Sequence, residues 1–151
     1  MGEVVEIDGV LLTPLRIISV RDGDVLHGMK RNELGYCGFG EAYFSKIQSG
    51  LIKGWKRHRE MTLNLIVPSG AIRFVIYDDR PDSSTNGGYC SVILSNGNYQ
   101  RLTVPPLVWL GFQGIHGGES MLLNIASIPH DPGEVEKREI HEIKFNWESS
   151  K

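Results

Sequence analysis

The sequence predicts an all-β protein of jelly-roll type, and three observations carry that prediction. Its 18 glycines and seven prolines fall between short runs rich in valine, isoleucine, leucine, phenylalanine and tyrosine. No long segment repeats its apolar residues with the 3.6-residue period of a helix. The runs recur at intervals set by turn residues, which is the spacing of a sandwich or barrel rather than of βαβ units.

Taken in order, the first run is 10–20, where Pro14 marks an edge or a bend because proline cannot donate to a ladder. Residues 25–34 read as a loop or a short helical turn, and 41–48 as the next strand. The stretch 49–80, SGLIKGWKRHREMTLNLIVPSGAIRFVIYDDR, organises the rest. Within 51–67 a polar strand, KGWKRHRE, runs through a break into an apolar one, MTLNLIV. Pro68-Ser69-Gly70 then turns the chain into 71–77, AIRFVIY, which predicts a hairpin. Alternation puts Lys56, His58, Glu60, Thr62 and Asn64 on one face and Trp55, Arg57, Leu63, Leu65 and Val67 on the other. A row of titratable and amide groups beside an apolar face suits the lining of a ligand cavity.

Further along, 81–88 (PDSSTNGG) reads as an exposed loop. Strands 89–94 and 100–104 flank Ser95-Asn96-Gly97-Asn98, an Asn-Gly turn. Strands 108–113 and 121–127 complete the set. Residues 129–151 alternate in charge and are expected to wrap the outside, tacked down by Ile140, Ile143, Phe145 and Trp147.

At 151 residues the chain is long enough to bury a core and is read as one domain, 1–151. A formal charge of −2 with five histidines gives no general pull toward nucleic acid or an acidic membrane, so an anionic ligand needs a local cluster of lysine or arginine. Cys37 and Cys90 lack CxxC spacing, which argues against a disulfide framework and a zinc site and predicts two buried or partly buried thiols. The opening MGEVVEIDGVLLTPL lacks a signal-peptide pattern, and no apolar run approaches the ~20 residues of a membrane span. The cytoplasm is the expected compartment.

Four segments resemble the dTDP-4-dehydrorhamnose 3,5-epimerase family of non-metal cupins and its relatives that isomerise nucleotide-linked 4-keto sugars. SGLIKGWKRH resembles the family's arginine-glycine-x-histidine strand, and LIVPSGAIRFVIYDDR its long hairpin. YCSVILSNGNYQRLTVPPLVWLGF resembles the strands that lead to a His-Gly-Phe element, and LLNIASIPHDPGEVEKREIHEIKFNW the closing segment. The resemblance implies a cupin-type jelly-roll β-barrel, a homodimer paired through sheet edges, a nucleoside diphosphate-linked keto sugar as ligand, and no cofactor. It also implies a histidine that removes the proton beside the ketone, a tyrosine that returns one from the far side, and a lysine that stabilises the enolate.

Carried over residue by residue, Lys53 stands at the family's arginine, Lys56 at its histidine, Leu63 at its lysine and Asn124 at its tyrosine. Leu110-Gly111-Phe112 replaces His-Gly-Phe, and the chain stops soon after Trp147, short of the extension that supplies the histidine's aspartate partner. The ketoisomerase relatives carry a His-x-His pair on this strand; His58 matches its second member and Lys56 replaces the first. Metal-binding cupins need both histidines and a third one, where this chain has Leu110, so no metal is expected.

Lys56 and His58 are accordingly the catalytic candidates. A lysine desolvated in a barrel, or crowded by Arg57 and Arg59, loses basicity and becomes able to shuttle protons at neutral pH. Glu41, Tyr43 and Lys53 match pocket positions of the family, with Lys53 suited to a diphosphate. Asn64, Arg73, Tyr77 and Asn124 join them as substrate-binding candidates, Tyr77 on condition that the hairpin parity holds. Arg21 and Arg80 read as solvated, Asp78-Asp79-Arg80 as an end-of-strand ion pair, and His27 and His116 as exposed loop histidines. Trp55, Trp109 and Phe112 read as packing.

Two functions follow: a cofactor-free epimerase or isomerase of nucleotide-linked 4-keto deoxysugars in deoxysugar or surface-polysaccharide biosynthesis, or a silent sugar-nucleotide-binding or assembly protein of the same fold. Proton exchange at the sugar separates them.

Overall fold

The computed structural model describes residues 6–148. In chain order its strands are β1 (Leu11–Pro14), β2 (Ile17–Ile18), β3 (Val25–Leu26), β4 (Glu41–Gln48), β5 (Ile52–His58) and β6 (Leu63–Ser69). They continue with β7 (Ala71–Tyr77), β8 (Tyr89–Ser95), β9 (Gln100–Val104), β10 (Trp109–Gly114), β11 (Glu119–Ala126) and β12 (Val135–Lys137). One sheet runs β1-β9-β6-β11-β4 and the other β12-β5-β10-β7-β8. The two sheets face each other as a jelly roll whose hydrogen bonding does not close into a barrel. Among the described residues no helix is long and apolar enough to cross a membrane.

The main core lies between the sheets because both contribute their inward-facing residues. Leu63, Leu65, Val67, Leu102 and Leu122 come from one, and Ile72, Phe74, Ile76, Val92 and Leu94 from the other. Each such side chain stabilises the fold by about 1.5–3 kcal/mol. A second core sits on the outer face of the β5-containing sheet, where Trp55, Val75 and Trp109 meet Ile143 and Trp147 of the closing segment. Ile140 and Phe145 pack against it, so the four residues expected to tack the tail down all do so. Gly111 lies beneath this cluster; a Cβ there would stand 3.1 Å from the Trp55 ring and 3.2 Å from that of Trp147.

Four expectations change. The segment 68–70 is not a hairpin turn, because β6 and β7 belong to opposite sheets. The chain crosses between them at Gly70, in the left-handed region at φ +84°, where a Cβ would collide with Ser120. The Ser120 hydroxyl occupies that space and bridges the amide and carbonyl of Ala71 at 3.0 and 3.2 Å. The 10–20 run divides into β1 and β2, and β2 pairs with β3 as a separate ribbon. Val135–Lys137, expected as wrapping, adds a strand beside β5. Of the thiols, Cys90 is buried but Cys37 is exposed.

The break within 51–67 decides the site. At 59–62 the chain leaves one sheet for the other, so the parity of β5 does not continue into β6. Trp55 faces the outer core while Leu63 and Leu65 face the inner one. Lys56 and His58 therefore look across the interior at Leu63 and Leu65, and Asn64 falls on the outside.

Candidate active site

At one end of the roll the sheets part around a cavity of about 230 Å³. Met61, Leu63, Leu65, Leu110, Phe112 and Leu122 line it with hydrocarbon. The polar lining is Tyr43, Ser45, Lys53, Lys56, His58, Asn124, His130 and Lys137. Of the residues singled out in the sequence, Lys56, His58, Tyr43, Lys53 and Asn124 are thus brought together. Glu41 does not line the cavity; it precedes Tyr43 by two on the same strand face, near enough for its charge to act on the phenol.

The other three lie elsewhere. Asn64 sits opposite Thr103 in the β6–β9 ladder, accepting from its hydroxyl and donating to the Gly35 carbonyl at 2.9 Å, and so anchors the loop outside the sheet. Arg73 lies under the closing segment, donating to Gln113 Oε1 at 2.9 Å and to the Trp147 carbonyl at 3.2 Å. Tyr77 stacks on Tyr89 with 4.6 Å between ring centroids, on the outer core. Arg73 and Tyr77 point away from the cavity because Ile72, Phe74 and Ile76 take the inward positions of β7.

His58 Nδ1 is 2.7 Å from Glu134 Oε1. The other carboxylate oxygen of Glu134 accepts the backbone N–H groups of Glu60 and Met61, each at 2.8 Å. Burial works to raise the Glu134 pKa, but these hydrogen bonds outweigh it and hold the carboxyl below its ordinary range. A charged, fixed carboxylate keeps the proton on Nδ1, leaving Nε2 as the nitrogen able to accept another. His58, two residues past the position of the family's aspartate-paired histidine, has Glu134 as its carboxylate partner. Glu134 was legible only as one acid in an alternating Glu-Val-Glu-Lys run after a Pro-Gly turn. His130 and Lys137 come from the same closing segment and were likewise not anticipated.

Lys56 faces Lys137 across the β5–β12 ladder, with Lys53 three residues away on its own strand. Among the described residues its side chain makes no hydrogen bond or ion pair. Its pKa is lowered, by burial first and then by Lys137 and Lys53. Arg57 and Arg59, expected to crowd it, are instead on the outer face, bound to Glu136 at 2.6 and 3.2 Å. Lys53 donates to the Lys46 carbonyl at 2.7 Å. From the opposite sheet, Asn124 donates to the Tyr43 hydroxyl at 2.9 Å, while its own buried Oδ1 has no partner among the described residues. Burial raises the Tyr43 pKa despite that hydrogen bond, and Glu41 raises it further.

No family model matches the chain. The chain is similar to a solved dTDP-sugar isomerase from Desulfovibrio desulfuricans G20, with 36% identity and a TM-score of 0.91 over 96% of this chain and 94% of the other. It is 33% identical over 91 residues to a probable low-salt glycan biosynthesis epimerase, Agl13, of Haloferax volcanii; the match takes in 60% of this chain and 58% of the relative's length. It is 26% identical over 145 residues to the spore coat polysaccharide biosynthesis protein SpsL of Bacillus subtilis, covering 93% of this chain and 96% of the relative. Solved dTDP-4-dehydrorhamnose 3,5-epimerases share the fold at 14% and 21% identity, with TM-scores of 0.80 and 0.83.

Proposed function

The chain belongs to the dTDP-sugar isomerase and epimerase family, and from that premise we propose that it catalyses cofactor-free proton transfer on a nucleoside diphosphate-linked 4-keto sugar in glycan biosynthesis. The observation that carries this reading is the His58–Glu134 pair opening onto a cavity with lysines at its rim. The cavity is smaller than the ~300–1,000 Å³ usual for whole small-molecule sites. It suits a single sugar ring, with the nucleotide lying beyond the mouth. Lys53 and Lys137 supply positive charge there for the diphosphate.

The chemistry follows from the pairing. The proton on a carbon next to a ketone is made acidic by delocalisation of the carbanion onto oxygen. His58 Nε2 takes that proton, and Glu134 stabilises the resulting imidazolium as it forms. Lys56, two residues along the same strand face, meets the charge developing on the ketone oxygen. Tyr43 approaches from the opposite sheet with its hydroxyl oriented by Asn124 and returns a proton from the other side of the ring. A phenol titrates near pH 10 and this one higher, so its hydroxyl is protonated at neutral pH, as a proton donor must be. Base and acid on facing sheets permit inversion at the carbon, whereas return of the proton by His58 to another carbon gives isomerisation.

The test is incubation with dTDP-4-keto-6-deoxyglucose in heavy water, followed by NMR of the sugar. Deuterium is expected at carbons beside the ketone, and His58→Asn is expected to abolish its uptake. Binding without uptake would overturn the catalytic reading in favour of a sugar-nucleotide-binding protein.

A further inference from the structure

We propose that Lys56 forms a covalent imine with the ketone of the substrate, so that the α-proton leaves from an iminium ion rather than from the free ketone. This inference rests on the proposed function and deepens it. Three features of the cavity support it. Lys56 is a cavity-lining amine with no carboxylate or hydrogen-bond acceptor on it among the described residues, although ion pairs hold neighbouring Arg57 and Arg59. Two further ammonium groups, Lys137 across the ladder and Lys53 on the same strand, line the same cavity. His58, two residues on, supplies an acid and a base beside the amine.

Crowding of one lysine by other cations beside hydrocarbon is the arrangement that makes an amine nucleophilic near neutral pH, since it disfavours the ammonium form. The lowered pKa of Lys56 runs in that direction, through burial first and then Lys137 and Lys53.

The steps balance without an oxidant or reductant. The neutral amine's lone pair attacks the carbonyl carbon, the π pair moves to oxygen, and a proton passes from nitrogen to oxygen to give a carbinolamine. Protonated His58 donates to the hydroxyl, which leaves as water while the nitrogen lone pair forms the iminium bond. His58, now neutral, takes the α-proton, and the C–H electron pair neutralises the iminium as an enamine. Reprotonation at carbon restores the iminium, and the water that left is added back to release ketone and amine. The positive nitrogen is a stronger electron sink than a neutral carbonyl, and the acid that expels water has become the base for the next step.

The experiment treats the protein with dTDP-4-keto-6-deoxyglucose and cyanoborohydride, then reads intact mass and digested peptides, with heavy-water exchange run in parallel. The expected result is one reduced sugar adduct on Lys56, absent in Lys56→Arg, a variant that keeps the charge but cannot form the imine. Exchange in Lys56→Arg is expected to fall at least ~10²-fold. Exchange with no adduct, or exchange retained in Lys56→Arg, overturns the imine and leaves the proposed function standing. An adduct on Lys53 or Lys137 overturns the assignment to Lys56. Absence of both adduct and exchange in the unmodified protein overturns the imine together with the proposed function.

Discussion

Strand β5 carries Trp55 and Arg57 on one face and Lys56 and His58 on the other, and the fold treats the two pairs oppositely. On the outer face both side chains have hydrogen-bond partners. Arg57 binds Asp79 at 3.0 Å and Glu136 at 2.6 Å while its guanidinium stacks over Trp109, and Trp55 donates to the Ile140 carbonyl at 3.2 Å. On the inner face His58 has a partner, whereas among the described residues the Lys56 side chain has none and faces the cavity. Lys56 is exposed at the cavity, so leaving it unpaired costs the fold little, and its place beside the His58–Glu134 pair is what marks this face for chemistry. Outer-face substitutions should therefore move the unfolding free energy, and inner-face substitutions the chemistry.

The largest separation is expected from His58→Asn, which should lower heavy-water exchange by about 10²–10⁴-fold, the usual contribution of a general base. Its urea midpoint should move little. A fall in stability large enough to account for the lost activity would break the contrast between the faces. The mirror image is Trp55→Ala. Removing a fully buried indole at the centre of the outer core should cost about 3–5 kcal/mol in denaturant unfolding. The variant that remains folded should still exchange deuterium.

Glu134→Gln should move both readouts, because one oxygen of that carboxylate serves His58 and the other serves the backbone of Glu60 and Met61. Loss of the charge should cost roughly 10–100-fold in exchange, the usual effect of removing a group that orients a working histidine. A variant that loses stability and keeps full exchange would make Glu134 a structural acid alone.

A purely structural acid is available for comparison. Asp78 accepts from Arg80, Ser83 and Thr85 at 2.6–2.9 Å, and these bonds overcome the effect of burial to hold its carboxyl well below the ordinary range. Because its folded pKa is depressed, its stabilisation is fully present above the unfolded value near pH 4 and is lost as the pH falls through the folded value. Asp78→Asn should cost about 1.5–3 kcal/mol at pH 7. The gap from the unmodified protein should narrow as the pH drops below about 4, as urea titrations at several pH values will show.

Why some of this was legible in the sequence and some was not follows from the range of each signal. Period-two alternation and turn residues act within a few positions, so strands 41–48, 71–77 and 100–104 have the bounds the sequence predicts. The Asp78-Asp79-Arg80 ion pair is equally local: Arg80 closes on Asp78 at 2.8 Å. Sheet membership is not local. Pro68-Ser69-Gly70 serves a hairpin and a crossing between sheets equally well, and only the seat of Ser120, fifty residues on, selects the crossing. Parity carried through that bend misplaces Tyr77, and parity carried through the earlier break at 59–62 misplaces Asn64. Lys56 and His58 share one uninterrupted strand with the motif that pointed to them, and they do face the cavity. Glu134 was hidden because a carboxylate 76 residues from His58 has no sequence signal until β12 pairs with β5.

The smallest expected effect tests whether burial, rather than charge pairing as such, distinguishes the faces. Lys46 and Glu119 form an ion pair at 3.5 Å with side chains 58% and 44% exposed. An exposed pair gains little in high dielectric and loses side-chain entropy, so Lys46→Ala should change stability by no more than about 1 kcal/mol. It should also leave exchange unchanged, although Lys46 holds the rim residue Lys53, because the group that holds it is the Lys46 backbone carbonyl, which the substitution keeps. A loss of exchange in Lys46→Ala would mean that charge on the outer surface reaches the cavity. The division between a stabilising face and a chemical face would then have to be redrawn around the whole edge of the sheet.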